Sequence, residues 1–285
     1  MEYPIATLKK DAWPELLAHI PDPPKQLYLR GALAPTEHKI LAVVGSRAAS
    51  TYGREVTKHL IAGLRGYPIT IVSGLAIGID TCAHEAALEA GLHTVSVPGS
   101  GISDSILYPA RNKRLAHRIL QSGGALLSEF APDFHATPWS FPARNRIMAG
   151  MSHAVLVIEA EQRSGTLITS KLATEYNRDV LTVPGSIFAS QSAGPHMLIR
   201  LGATPATSPK DVLEALHFDI DDAEDRVLPE LSTDEQKIYD KLTKPCTRHE
   251  LIAACSIPAS AANILISLLE LKGVITEYDG LIRRS

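Results

Sequence analysis

Cysteine is scarce in this chain. Cys82, Cys246 and Cys255 are its three cysteines among 285 residues, and no CxxC or Cys/His ligand spacing accompanies them. That excludes a disulfide framework and a zinc-type site, and a reduced, cytoplasmic thiol inventory is expected. Long hydrophobic runs are also missing. The longest are strand-sized, so no membrane span is expected. The opening Met1-Glu2-Tyr3-Pro4 lacks a basic segment followed by an apolar one, which argues against secretion. Aromatics make up 5% of residues against 45% for all hydrophobics, the composition of an aliphatic-cored globular protein. No GxGxxG motif occurs, so the dinucleotide fingerprint is excluded. Nor is there an internal repeat or a low-complexity tract. No cofactor and no metal are expected.

Acids are in small excess overall, a net of -3, but the charge is unevenly placed. Residues 219–240 hold nine acids and two bases, so the rest of the chain carries about +4. The acidic run has the character of a solvated linker, and the part before it is mildly basic.

Four stretches are expected: a lead-in at 1–40 that packs on the main domain, the main domain at 41–218, an acidic linker at 219–229 and a small domain at 230–285. Within the main domain, apolar strand patterns at 41–45, 69–74, 93–99, 125–129, 154–159 and 180–185 alternate with helical patterns. This order indicates an α/β fold, a mostly parallel sheet with helices on both faces. Turn-rich sequences follow the strand C-termini, where an open α/β sheet binds ligands. In the small domain, Ser232 with Glu235 and Thr247 with Glu250 have capping-box spacing. Three helices and a hairpin follow in winged-helix order.

The chemistry-bearing residues cluster at those strand ends. Gly45-Ser46-Arg47 directly follows the first strand and suits a backbone nest with Arg47 on a phosphate; an ordinary tight turn is the alternative. Ser73-Gly74 and Gly78 permit close backbone approach. Asp80 and His84 sit one helical turn apart, a spacing that fits a structural Asp–His clamp better than a catalytic pair, since no nucleophile stands beside them. Arg111 and Asn112, followed by Lys113 and Arg114, open a helix whose dipole disfavours cations there, which suits an anion or a solvated start. Arg144-Asn145-Arg146 precedes an apolar strand. It serves either phosphate or an ion-pair network with Glu129 or Glu159. Ser164-Gly165-Thr166 supplies hydroxyls and N–H groups at a helix start, and Lys171 lies further along. Trp139, Phe141, Phe134 and Tyr108 fall near these cations, as stacking surfaces for unpaired bases or as core.

Together these motifs resemble the DNA-processing protein A (DprA/Smf) family. The likeness runs from Asp22-Pro23-Pro24 to about Leu216. It includes Gly45-Ser46-Arg47, Ser73 to Ala76, Gly78-Ile79-Asp80, Tyr108-Pro109, Phe141-Pro142, Arg144 to Ile147, Ser164 to Leu167 and Val183-Pro184-Gly185. The resemblance implies an extended Rossmann-like domain with a small winged-helix-like domain. It also implies single-stranded DNA bound in a basic pocket, a homodimer, and loading of the RecA recombinase during natural transformation, without known enzymatic activity. Arg47, Arg144-Asn145-Arg146 and Ser164-Gly165 would line the DNA pocket. Two departures stand out. Ile77 replaces an arginine common in relatives, and the stretch 134–139 lacks a lysine common there, so that Trp139 or His135 would substitute by stacking. The rival expectation is a nucleotide N-glycoside hydrolase on a related fold, with Glu159, Asp80 and His84 recruited. The Pro-Gly-Gly-x-Gly-Thr signature of such hydrolases is missing.

Overall fold

Period-two burial along the strands organises the main unit. On β3 (Lys39–Val44), Leu41 and Val43 enter one apolar cluster while Ala42 and Val44 enter another on the opposite face. A strand buried on both faces needs helices on both, and only parallel crossovers supply them. The computed structural model describes residues 3–218, 231–242, 246–255, 257–272, 274–278 and 280–284. The acidic stretch 219–229 lies outside them.

The chain divides into two compact units, Met1–Ile220 and Asp221–Ser285. In the first, β1 (Ile5–Leu8), α1 (Glu15–Ala18) and β2 (Leu27–Gly31) come before β3. Then follow α2 (Thr51–Ala62), β4 (Ile69–Ser73), α3 (Ile79–Glu89), β5 (His93–Ser96), α4 (Lys113–Gln121), β6 (Ala125–Ser128), α5 (Ser140–Met151) and β7 (Ala154–Val157). The unit closes with α6 (Thr166–Glu175), β8 (Asp179–Thr182), α7 (Ala193–Arg200), β9 (Thr204–Pro205) and α8 (Pro209–Ala215). The nine strands form one sheet in the order β1-β2-β6-β5-β4-β3-β7-β8-β9. From β6 to β9 every pairing is parallel, while β1–β2 and β2–β6 are antiparallel. Residues 5–31 therefore do more than pack on the domain: they extend its sheet by two strands. The strands run outward from β3 to β6 on one side and from β7 to β9 on the other. The topological switch point thus falls between β3 and β7.

One face of the sheet packs against α2, α3 and α8 through Leu60, Ile61, Ala83, Val212 and Leu213. The other packs against α1, α5, α6 and α7 through Leu17, Ile147, Met148, Ala173 and Leu198. Most of these side chains are at or near complete burial, and each of the larger ones (Leu, Ile, Val, Met) is worth about 1.5–3 kcal/mol relative to exposure. Helix α5 starts at Ser140 and so carries Arg144, Asn145 and Arg146 in its interior. Its first turn accepts Pro142, because the N–H that proline lacks has no helical partner at that position.

The second unit contains α9 (Thr233–Lys241), β10 (Cys246–Thr247), α10 (Arg248–Ala254), α11 (Ala259–Leu271), β11 (Ile275–Tyr278) and β12 (Leu281–Arg284). Its three strands pair in the order β10-β12-β11. Ile238, Leu251, Ile266, Leu269 and Ile282 make its core. Both capping boxes close as their spacing predicts: Ser232 with Glu235, and Thr247 with Glu250. No single helix among the described residues is long and apolar enough to cross a membrane.

Candidate nucleic-acid interface

The turns after β3 and β7, on either side of the switch point, open onto one cleft of 690 Å³. Gly45, Ser46 and Arg47 line one wall, and Arg163, Ser164, Gly165 and Thr166 another. Phe141, Pro142, Arg144 and Asn145 of α5 enter from a third side. The Thr166 hydroxyl donates to the Gly45 carbonyl at 3.2 Å, which ties the two turns together. The Ala48 N–H donates to the Ser46 hydroxyl at 3.1 Å. Gly78 has φ +89, and a Cβ there would collide with the carbonyls of Ser46 and Arg47. Glycine is required because the β4–α3 loop passes directly under the Gly45–Arg47 turn, where the Ile79 N–H donates to the Ser46 carbonyl at 3.1 Å.

Two arginines in the cleft have opposite environments. Arg47 is exposed, and its guanidinium lies over the Phe141 ring at 5.1 Å from the centroid, a cation–π contact that holds the head without consuming its charge. Arg144 is 5% exposed. It donates to the main-chain carbonyls of Gly74 and Val97, and its Nε to Asn145 Oδ1 at 3.2 Å. Asn145 in turn donates to the Gly165 carbonyl at 3.4 Å. Burial lowers the Arg144 pKa to about 10, with the nearby Arg47 charge acting in the same direction and Asp80 opposing. Arg144 therefore remains cationic at neutral pH.

Several expected contacts fall elsewhere. Ser73 and Gly74 are buried beneath the cleft and do not line it. The Ser73 hydroxyl donates to the Val43 carbonyl at 2.7 Å. The N–H groups of Gly74 and Ala76 form a nest around Leu75, which has φ 64, but the anion they hold is the protein's own Asp80, at 3.1 and 3.3 Å. Burial raises the Asp80 pKa, with Arg144 counteracting. No Asp80–His84 clamp forms, because Asp80 turns to the nest and the His84 Nδ1 pairs with the Thr94 hydroxyl at 2.8 Å. Complete burial lowers the His84 pKa to about 3, so the ring is neutral. Asn112 is 4% exposed. Its amide donates to the carbonyls of Leu75 and Ala76 and to the Thr81 hydroxyl. It locks the β4–α3 loop and is unavailable to a ligand.

Arg146 also leaves the cleft. Residues two apart on a helix point in opposite directions, so Arg144 and Arg146 diverge. Arg146 forms an ion pair with Glu129 and donates to the Asp22 carbonyl at 2.8 Å. The lead-in is thereby fastened to α5. Burial raises the Glu129 pKa, and the Arg146 charge opposes that rise. Glu159 is 4% exposed. It accepts the Ser50 N–H at 3.0 Å and the Ser50 hydroxyl, and that hydroxyl oxygen caps α2 by accepting the Gly53 N–H at 3.0 Å. Lys171 is 79% exposed and pairs with Glu175 at 3.7 Å. Trp139 and Arg111 are exposed outside the cleft lining. The Trp139 ring is edge-on to Phe130 and Phe134, with centroids at 5.5 and 5.7 Å. Arg163 was not among the expected contacts, although a cation directly before Ser164-Gly165 is visible in the sequence. Glu161 and Asp80 are the acids that line the cleft. Among the described residues no group of three or more His, Cys, Asp or Glu is placed to hold a metal ion.

Residues 4–217 match the family model for DNA recombination-mediator protein A, and residues 222–280 match the DprA winged helix domain. The chain belongs to the DprA/Smf family. It is 43% identical over 217 residues to DNA processing protein DprA of Streptococcus pneumoniae, 76% of each chain. It is 44% identical over 205 residues to Protein Smf of Escherichia coli, covering 72% of this chain but 54% of that longer relative. The solved S. pneumoniae DprA superposes with a TM-score of 0.69 at 42% identity, covering 77% of this chain and 76% of that one. DNA processing protein A from Helicobacter pylori superposes with a TM-score of 0.65 at 28% identity, covering 75% of this chain and 96% of that one. The H. pylori structure was described for its single-stranded DNA binding mode. The match to the DNA recombination-mediator protein A model thus spans the nine-stranded sheet of the first unit.

Proposed function

We propose that this DprA-family chain binds single-stranded DNA in the cleft between β3 and β7, and that it acts as a recombination mediator that protects incoming DNA and loads RecA during natural transformation. One observation carries the binding reading: Arg47 is exposed over Phe141 with the buried, still cationic Arg144 behind it, at the switch point of the sheet. Two like charges set close together in a partly sheltered cleft are stabilised by a bound anion. The open turn at Ser164-Gly165 offers hydroxyl and backbone groups to the same anion. The Phe141 face adjoins it, which suits a strand whose unpaired bases stack while its phosphates are neutralised. The H. pylori relative supports the choice of a single strand.

Glu159, the residue a nucleotide hydrolase reading would recruit, is engaged by Ser50 at the start of α2, which favours binding over hydrolysis. We expect the working unit to be a homodimer. Ile187, Phe188 and Leu201 are 80%, 93% and 75% exposed, apolar area suited to burial between copies.

Titration of single-stranded and duplex DNA with wild-type protein and Arg47→Ala tests the cleft. Wild type should prefer the single strand, and loss of one charge-assisted contact should weaken it about tenfold or more. Unchanged binding by Arg47→Ala would remove the cleft from the DNA path. Strand-exchange assays with RecA on protein-coated DNA test the mediator role, and no stimulation over naked DNA would refute it.

A further inference from the structure

Helix α4 carries a stripe of cations that folding does not explain. Arg111, in the single 3-10 turn that runs into α4, and Arg114 and Arg118 on α4 are all exposed. Their spacing of three and four residues places them in one row about 10 Å long on the outer face. The inner face of the helix is Leu115, Ala116, Ile119 and Leu120, all buried.

Among the described residues nothing neutralises the row. Among the described residues, none of the three arginine side chains has an ion-pair or hydrogen-bond partner. Helix α4 itself contains no acid. An acid on its flank, Asp104, is held by Arg30 at 2.6 Å and faces His117 at 3.2 Å. The Arg30 hydrogen bond keeps the Asp104 carboxyl below its usual range. Cations at a helix N-terminus also oppose the helix dipole. The helix starts without a side-chain cap and without an acid in its first turn. An external anion relieves all of these costs together.

The row is continuous with the cleft. Tyr108, 49% exposed, leads into the turn that bears Arg111. Its ring lies 5.8 Å from that of Phe141, and Phe141 supports Arg47 inside the cleft. The path therefore runs from Arg47 over Phe141 and Tyr108 to Arg111, Arg114 and Arg118. It alternates aromatic faces and cations in the manner of a sequence-tolerant single-strand track. We infer that a DNA strand leaving the cleft passes over Tyr108 and lies with its phosphates along the α4 arginine row, so that the footprint extends beyond the cleft. This rests on the single-strand reading of the cleft.

The test compares the wild-type chain with Arg114→Gln/Arg118→Gln on oligothymidylates of roughly 6 and roughly 25 nucleotides, across a salt series. Both positions are exposed on α4, and glutamine keeps helix propensity, so circular dichroism should show an unchanged fold. For the long strand, the variant should bind about tenfold more weakly. Its slope of log affinity against log salt should fall by about 1.4, the counterion release of two phosphate contacts on a single strand. For the short strand, affinity should match wild type, and Arg47→Ala should weaken both lengths. Long-strand affinity and slope that equal wild type would overturn the inference while leaving the cleft reading in place, and would point the row toward an acidic protein surface. An equal loss for both lengths would also overturn it, because the row would then act on the cleft itself. If the wild-type chain binds neither oligonucleotide, the cleft reading falls and the α4 track falls with it.

Discussion

Replacing Arg144 with methionine should unfold the main unit far more readily than any change at Arg47. Methionine keeps the length of the side chain but removes its charge and its donors. The carbonyls of Gly74 and Val97 and the Asn145 amide oxygen lose their partners. Each polar group left unpaired in the interior costs about 1–3 kcal/mol. Asp80, already raised by burial, loses the cation that opposes that rise. Breaking a buried charge pair from one side costs about 3–5 kcal/mol. For a unit of this size, 1 kcal/mol corresponds to about 2–4 °C, so the midpoint should fall by roughly 6–20 °C. Both tryptophans, Trp13 and Trp139, lie in the first unit. Their fluorescence during thermal or urea unfolding therefore follows that unit alone, whatever the winged-helix unit does. Asp80→Asn combined with Arg144→Met should cost less than the sum of the single changes, by about 0.5–3 kcal/mol. A loss below about 1 kcal/mol for Arg144→Met, or strict additivity of the pair, would refute the view that the two charges support one another beneath the cleft.

Other outcomes follow from the same geometry. Arg47→Ala, at an exposed side chain, should change stability by no more than about 0.5 kcal/mol while lowering the salt slope of single-strand binding by about 0.7; a large stability loss would show Arg47 to be structural. Gly78→Ala places a Cβ against two carbonyls at a positive φ, so it should destabilise by at least about 1–3 kcal/mol and weaken DNA binding by displacing the Gly45–Arg47 turn, measurable by urea unfolding and oligonucleotide titration. His84 has a folded pKa lowered from 6.5 to about 3. Its contribution is complete above pH 6.5 and is lost as pH falls through that interval, by up to about 1.4 kcal/mol per pH unit. His93 and His153 are lowered by burial in the same direction, whereas the raised Asp80 acts oppositely, its stabilisation fading as pH rises above 3.8. His84→Gln should flatten the acid side of the stability profile by about one proton, and an unchanged profile would count against its buried neutral state. Ser232→Ala should cost the winged-helix unit about 1 kcal/mol by opening its capping box, read from that unit's helix signal.

Much of the fold was legible in the sequence for local reasons. Apolar runs too short for helices, separated by helical periods, define a parallel sheet, and turn residues at strand ends mark the binding edge. The capping boxes at Ser232 and Thr247 are short-range hydrogen bonds set by a three-residue spacing. The lead-in strands β1 and β2 were not legible, because four or five residues at a sheet edge take their structure from the neighbour they pair with. In the candidate site, Gly45-Ser46-Arg47 and Ser164-Gly165-Thr166 stand where their strands end, and that much follows from order along the chain.

Which cation faces the ligand was decided only in three dimensions. Arg144 and Arg146 are two residues apart, and the phase of α5 sends one beneath the cleft and the other to Glu129. The N–H nest at Gly74 to Ala76 has the composition of an anion site, yet Asp80 fills it from the next helix. Asn112 turns inward because the β4–α3 loop passes over it. The chain by itself determined the family, the sheet and the strand ends that bear the chemistry. The tertiary structure determined which charges are spent on the protein's own groups and which remain open to solvent in the cleft, since burial and pairing between distant segments are not written in local spacing.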